Sequence, residues 1–127
     1  MQKFYTDSME WAVILHPAVD EWLAALDHSS FQQVVAAIRE LRENGPALAR
    51  PLADTVRASR HRNMKELRPG SAGRSEVRIL FAFDPVRQAI LLVAGDKAGQ
   101  WQQWYKRSIP LADDRFDEHI ERLRRER

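Results

Sequence analysis

The chain has 127 residues, of which 44% are hydrophobic and 30% charged, a composition typical of a soluble globular domain. It contains no cysteine, which excludes disulfides and thiolate metal sites. No segment approaches the roughly 20 apolar residues of a membrane span, and the first residues lack the apolar core of a signal peptide. We therefore expect one cytoplasmic domain over residues 1–127 that does not associate with membranes.

The charge is unevenly distributed along the chain. The formal net charge is +2, yet residues 57–107 carry 11 Lys and Arg against 4 Asp and Glu, whereas residues 1–56 carry 4 against 8. Arginine makes up 16 of the 20 basic residues, and its planar guanidinium suits phosphate and nucleobases. A basic middle segment favours a polyanion such as RNA, although a solvated charged surface explains the charge alone equally well.

The first half of the chain predicts a strand followed by a helical hairpin. The apolar run at residues 10–15 predicts a short strand that ends before Pro17. Helical spacing of apolar residues then predicts two antiparallel helices over residues 17–44. Ser30 and Gln33 have the spacing of a capping box for the second helix, and Gly45 and Pro46 end it.

The second half predicts the rest of a sheet and a last helix. Residues 77–83 alternate as a strand, residues 88–94 are apolar on both faces as in a central strand, and residues 63–67 are a weaker candidate. Ile109 and Pro110 predict the start of the last helix. Asp113 and Asp114 fall in its first turn, where acidic residues complement the helix dipole. The order of elements indicates an α+β fold.

Most catalytic signatures are missing. The chain has no glycine-rich phosphate loop and no G-x-S-x-G motif, and its four histidines share no metal-ligand spacing. Among the histidines, His61 is the one that could titrate near an RNA site, because it lies among Arg60, Arg62 and Lys65. On the sheet, the carboxylates we identify are Glu76 and Asp96, too few for a two-metal nuclease.

Cations remain as candidates for catalysis. Five side chains could converge at one end of the sheet, Lys65, Arg68, Arg78, Lys97 and Tyr105, although spacing alone favours a structural role for any one of them. Such a set can assist attack of a ribose 2′-OH on the adjacent phosphorus, which requires a base, donors for phosphoryl charge and an acid. The structural alternatives are that Arg78 pairs with Glu76, Lys97 pairs with Asp96 and Tyr105 packs. Trp101 and Trp104 either stack on bases or pack, and their spacing of three favours packing for at least one; once the resemblance described below is included, we expect packing for both.

The sequence resembles toxins of the RelE/ParE superfamily, in particular the HigB-like, phage-derived branch. The resemblance covers roughly residues 10–123 and rests on five motifs: KELR (65–68), SEVRILFAFDP (75–85), ILLVAGDK (90–97), WYKRSIPLADDRF (104–116) and DEHIERL (117–123). It implies a RelE-like twisted antiparallel sheet with an N-terminal helical hairpin and a C-terminal helix. It also implies a type II toxin that cleaves mRNA without metal or another cofactor, usually on the ribosome, and a HigA-like antitoxin with a helix-turn-helix domain.

The resemblance also suggests roles for individual residues. By position, Lys65 and Arg68 match basic residues of the second strand, and Arg78 matches an arginine that contacts the scissile phosphate. Lys97 fills the basic position after the last strand, and Tyr105 matches the tyrosine that stacks on or polarises the substrate. Four further cations are candidates for RNA binding: Arg62, Arg74, Lys106 and Arg107. A ParE-like toxin that binds and poisons DNA gyrase is the alternative.

Overall fold

The computed structural model describes residues 10–70 and 76–126, and the predicted RNA-binding residue Arg74 lies outside them. Within that part of the chain there are five strands and three α-helices. In chain order they are β1 (Ala12–Leu15), α1 (Pro17–Ala24), α2 (His28–Asn44), β2 (Ala53–Thr55), β3 (Met64–Leu67), β4 (Val77–Phe83), β5 (Gln88–Asp96) and α3 (Trp101–Arg125). The predicted α+β class is confirmed.

The strands form a single mixed sheet in the order β1-β5-β4-β3-β2. Strands β2 to β5 pair antiparallel, as predicted. β1 differs from the prediction because it pairs parallel to β5, with Ile14 opposite Ile90. A parallel pair requires a long crossover connection, and the helical hairpin together with the other three strands supplies it.

Each face of the sheet carries its own apolar core. On one face the hairpin residues Val34 and Leu41 pack against Phe81. On the other face α3 packs Trp104 and Phe116 against a second set of sheet residues, which includes Met64, Leu80 and Ile90. Side chains of a strand alternate between faces, so even-numbered residues of β4 point towards α3 and odd-numbered ones towards the hairpin.

The helical hairpin forms as predicted, but its second helix is capped differently. The N-cap of α2 is Asp27, whose carboxylate accepts a hydrogen bond from the Ser30 backbone N–H at 3.1 Å. The predicted Ser30–Gln33 capping box is therefore wrong by one turn. The helix ends at Gly45, which has a positive φ of 54° and lies against Trp11, where a Cβ would collide with the indole.

The last helix begins nine residues before the predicted start. α3 runs from Trp101 to Arg125 and contains Pro110 in its interior. Proline disfavours a helix interior, but Trp104, Ile109 and Phe116 lie on one buried stripe, and their packing outweighs that cost. Asp113 and Asp114 consequently lie in the middle of the helix. In the described part of the chain no helix is sufficiently long and apolar to cross a membrane.

Candidate active site

A buried carboxylate lies at the centre of the candidate site. Glu66 of β3 is 4% exposed and is paired with Leu80 of β4, so its side chain points towards α3. Its Oε2 atom accepts a hydrogen bond from Arg68 Nε at 2.9 Å, and Arg78 Nε lies 4.0 Å from Oε1. The phenol of Tyr105 in α3 donates to Oε1. Two cations and a phenol from three elements therefore meet at one carboxylate.

A second carboxylate holds Arg68 in place. Asp54 of β2 pairs with Glu66 across the strands, and its Oδ2 atom lies 3.3 Å from Arg68 Nη2 and 3.1 Å from Arg50 Nε. Burial opposes ionisation of Asp54, but the Thr55 backbone N–H and the two arginines outweigh it and lower its pKa. Arg68 is thus fixed between two carboxylates rather than free to rotate.

Tyr105 is enclosed by aromatic side chains. Its ring lies 5.1 Å from the buried Trp104 and 6.5 Å from Trp101, both in edge-on geometry. Burial, followed by the hydrogen bond and negative charge of Glu66, raises the pKa of Tyr105 above its usual value. The phenol therefore stays protonated at neutral pH and acts as a donor rather than a base.

The structure brings together three of the five predicted catalytic residues, Arg68, Arg78 and Tyr105. Lys65 lies on the opposite face, because it neighbours Glu66 on β3 and pairs with Phe81 of the hairpin-side core. The expected convergence of Lys65 with the others is therefore wrong.

Lys97 pairs with Glu76, whereas the structural alternative predicted from the sequence was Asp96. Its Nζ lies 3.0 Å from the Oε2 atom of Glu76, the residue directly before β4. Its catalytic role remains a prediction. Of the predicted RNA-binding residues, Arg62, Lys106 and Arg107 are exposed on the surface, and their role also remains a prediction.

The two neighbouring tryptophans differ in environment. Trp104 is buried, as expected for packing, whereas Trp101 keeps 54% of its surface exposed. The expectation that Trp101 also packs is wrong. It is the first residue of α3, and its ring lies beside that of Tyr105.

Glu66 is the site residue that sequence reasoning missed. It lies within the KELR motif, between the predicted catalytic residues Lys65 and Arg68. The available signal was its spacing of two from Arg68, which places both side chains on the same face of one strand. Tyr105 lies 39 residues away, so its contact with Glu66 has no local sequence signal.

A second polar cluster joins the segment before β3 to the middle of α3. Arg60 pairs with Asp113, Asp114 and Asp117, and His61 Nε2 lies 2.8 Å from Asp117. Hydrogen bonds from Arg60, and then from His61, lower the pKa of Asp117. These acids serve tertiary contacts, which corrects the interpretation that they complement a helix terminus.

Among residues 10–70 and 76–126, no group of three or more His, Asp or Glu side chains is arranged to hold a metal ion. The groups that the Glu66 site presents are a carboxylate, two guanidinium groups and a phenol.

The fold defines a RelE-like α+β protein. It is similar to a mutant of the Escherichia coli toxin RelE in the free state, with a TM-score of 0.55 and 13% identity over 78% of this chain and 98% of RelE. A chain of the RelE–RelB complex from Pyrococcus horikoshii gives a TM-score of 0.53 and 13% identity, over 72% of this chain and 99% of that one. At this identity the likeness concerns the fold.

The sequence defines the family. Residues 21–117 match the family described as phage-derived protein Gp49-like, and the chain belongs to it. HigB2 of Mycobacterium tuberculosis is 60% identical over 114 residues, which are 90% of this chain but 56% of HigB2. HigB3 of the same organism is 56% identical over 106 residues, 84% of this chain and 90% of HigB3. Both are described as candidate toxins, and they confirm the HigB-like resemblance.

Proposed function

We propose that this chain is the toxin of a type II toxin–antitoxin system and cleaves mRNA on the ribosome without a metal ion. The single observation that carries the proposal is the cluster of Arg68, Arg78 and Tyr105 around the buried carboxylate of Glu66. Donors and an acceptor held within one small site are what cleavage by a neighbouring 2′-OH requires. Because mRNA and ribosomes are its targets, the proposal places the protein in the cytoplasm.

The two arginines are the proposed phosphate-binding groups. Arg68 directly follows β3 and Arg78 lies on the adjacent strand β4, so their guanidinium groups can meet one phosphate from two sides. Charge-assisted hydrogen bonds from arginine to phosphate are strong and geometrically specific. In the free protein, carboxylates hold both arginines in position. An incoming phosphate takes the place of those carboxylates as the acceptor of the arginine hydrogen bonds.

The remaining two groups are the proposed base and acid. Glu66 takes the proton of the 2′-OH as its oxygen bonds to phosphorus, and Tyr105 gives a proton to the departing 5′-oxygen as the phosphorus–oxygen bond breaks. The products are a 2′,3′-cyclic phosphate and a 5′-hydroxyl. Attacking and leaving oxygens lie roughly in line across phosphorus, so the RNA must separate Tyr105 from Glu66 and lie between them. Their hydrogen bond afterwards returns the proton from Glu66 to Tyr105.

An antitoxin is the proposed protein partner. RelE of Pyrococcus horikoshii is found in a complex with RelB, and the family resemblance indicates a HigA-like antitoxin with a helix-turn-helix domain. An antitoxin that covers the Glu66 site would neutralise the chain, because RNA must reach that carboxylate from solvent.

The proposal is tested by inducing the chain in a bacterial host and mapping new RNA 5′ ends. We expect growth arrest with cuts inside translated mRNA for the wild type. Arg68→Ala and Arg78→Ala variants that still fold should lose both effects, by about 100-fold or more for each transition-state donor that is removed. Arg124→Ala is the matched control, because Arg124 is exposed near the far end of α3 and pairs weakly with Glu121.

The same experiment separates RNA cleavage from gyrase poisoning. Growth arrest with DNA breaks and intact mRNA would assign the chain to the ParE-like class. Toxicity that persists unchanged in both the Arg68 and the Arg78 variants would refute the proposed mechanism.

A further inference from the structure

Trp101 lies beside the candidate active site with more than half of its surface in contact with solvent. It is the first residue of α3 and is 54% exposed, whereas Trp104, one turn later, is 6% exposed. Exposing a large aromatic ring forgoes the stabilisation that its burial would provide. The two rings therefore differ in what they contribute, and the stability of α3 does not depend on Trp101 in the way it depends on Trp104.

Trp101 lines a shallow recess that is separate from the carboxylate cluster but adjoins it. The recess has a volume of about 360 Å³, within the range of small-ligand sites, and its walls are mainly apolar: Ala58, Trp101, Tyr105, Ile109 and Pro110, with Gln102 and Lys106 as polar members. Trp101 and Tyr105 meet in it at an interplanar angle of 75°. A flat ring that stacks on one of them therefore meets the edge of the other.

Tyr105 belongs to both sites. Its hydroxyl binds Glu66, and its ring forms a wall of the recess. A phosphate held by Arg68 and Arg78 therefore lies one side chain away from the recess, and so does the nucleotide attached to that phosphate.

The charge around the recess suits RNA. Lys106 is the charged residue among those that line the recess, and it is exposed to solvent. A cation beside an exposed aromatic ring is an arrangement by which proteins bind single-stranded nucleic acid, because the ring stacks on a base and the cation neutralises a phosphate.

We propose that this recess is a nucleobase subsite, in which Trp101 stacks on the base of a nucleotide next to the phosphate that is cleaved. The inference rests on the proposed function for the identity of that phosphate. Stacking on Trp101 would position the RNA and favour particular bases beside the cut, since bases differ in stacking strength. Trp101 is thus a positioning residue, and it takes no part in proton transfer.

The test measures binding without cleavage. The probe is a set of fluorescent 12-nucleotide RNAs of single base composition, made with 2′-O-methyl groups so that the attacking hydroxyl is absent. We expect Trp101→Ala to weaken binding by about 5- to 150-fold, the effect of losing one stacked base, and Trp101→Phe to weaken it less. The matched control is Leu111→Ala, because Leu111 is another exposed apolar residue of α3, 39% exposed, that does not line the recess.

The salt dependence distinguishes stacking from charge. Trp101→Ala should leave the slope of log affinity against log salt unchanged, since no charge is removed. Lys106→Ala should reduce the magnitude of the slope by about 0.7, the value for one phosphate contact on a single strand. RNA affinity of Trp101→Ala equal to that of the wild type or of Leu111→Ala would overturn the subsite.

Cleavage mapping in cells separates this inference from the proposed function. If the wild type cleaves mRNA and Trp101→Ala cleaves it at the same sites with the same base preference, the subsite is wrong and the nuclease stands. If the wild type binds RNA through Trp101 but cuts none, the nuclease is wrong, and the recess stands as a base-binding site without a cleaved phosphate beside it. Unchanged RNA affinity with weaker binding of a co-expressed antitoxin would assign the recess to the protein partner and refute the proposal.

Discussion

The phenol of Tyr105 donates a hydrogen bond to the buried carboxylate of Glu66 across 39 residues of sequence. This contact joins the start of α3 to strand β3. Arg68 and Arg78 also approach the same carboxylate. A buried carboxylate requires such partners, because an uncompensated buried charge is strongly destabilising. The same contact gives the chain a paired acceptor and donor for proton transfer.

Replacing Glu66 by glutamine should abolish most RNA cleavage. The amide keeps the volume and can still accept a hydrogen bond, but it cannot take up a proton from the 2′-OH. Loss of a general base typically reduces a rate by about 100- to 10,000-fold. Cleavage of mRNA on purified ribosomes, measured as single-turnover rates, gives the value. Glu121→Gln is the control, since Glu121 is 56% exposed on α3.

Tyr105→Phe combined with Glu66→Gln tests whether the two groups act as a unit. Phenylalanine preserves the ring contact with Trp104 but removes the donor. Residues that function together show strongly non-additive effects on rate. We therefore expect the double variant to be little slower than the slower single variant. Rate losses that multiply independently would contradict the proposed pairing.

The sheet was predictable from local patterns, because alternation in residues 77–83 and the apolar run after residue 88 depend on neighbouring residues. The start of α3 was not, because Pro110 is a local signal that favours a helix boundary there. Packing of Trp104 and Ile109 on the sheet decides the outcome instead, and that depends on residues far away in sequence. Tertiary contacts of this kind override local propensity.

The candidate site divides in the same way. Alternation correctly placed Arg78 on the face opposite Ile79, and the family resemblance singled out Tyr105. Lys65 does not join the site because it and Glu66 are neighbours on one strand, and neighbouring side chains point to opposite faces of the sheet. The pairing of Lys65 with Phe81 shows which of the two faces α3. The sequence does not give the pairing of β3 with β4. The strand β3 could therefore be predicted, but not which of its charged residues face α3.

Gly95→Ala should disturb the site through Trp104. Gly95 lies opposite Arg78 on β5, and a Cβ placed there would lie 2.5 Å from the indole Nε1 atom of Trp104. Overpacking of this kind typically costs about 1–3 kcal/mol of unfolding free energy. We expect a lower urea midpoint and a changed near-ultraviolet circular dichroism signal.

The cause of that effect is tested by giving the new methyl group room. Gly95→Ala combined with Trp104→Phe should lose less stability than the two single changes added together, since the smaller ring avoids the collision. Strict additivity would show that the cost of Gly95→Ala comes from the strand backbone and not from the indole.

The turn between β4 and β5 should confer stability that is lost in acid. The Asp84 carboxylate, with no side-chain exposure, accepts hydrogen bonds from Val86 N and Gln88 N and lies 2.8 Å from His119 Nε2. Burial opposes its ionisation, but these hydrogen bonds, that from His119 foremost, outweigh burial and lower the pKa of Asp84. Its contribution is therefore present above the unfolded-state pKa of about 4 and declines as pH falls through the lowered value.

Asp84→Asn removes this ionisation while nearly preserving the shape. At pH 7 the free energy of unfolding of the variant should be about 1–3 kcal/mol lower than that of the wild type, the typical cost of disrupting buried hydrogen bonds. The gap should narrow in urea titrations at pH 4 and pH 3. A gap that stays constant with pH would show that Asp84 contributes no ionisation-linked stability.

Asp113 and Asp114 are neighbours on α3 but should differ in their effect on stability. Asp113 is 3% exposed and accepts hydrogen bonds from Ser59 Oγ and from Arg60 N at 3.2 Å, whereas the Asp114 side chain is 66% exposed and pairs with Arg60 alone. Removing Asp113 takes away the acceptor of two partly buried hydrogen bonds, which together contribute about 1–3 kcal/mol. An exposed ion pair typically contributes less than about 1 kcal/mol. Urea unfolding of Asp113→Ala and Asp114→Ala should therefore show a clear loss for the first and little for the second. Equal losses would mean that Arg60 pairing, rather than the buried hydrogen bonds, joins this segment to the helix.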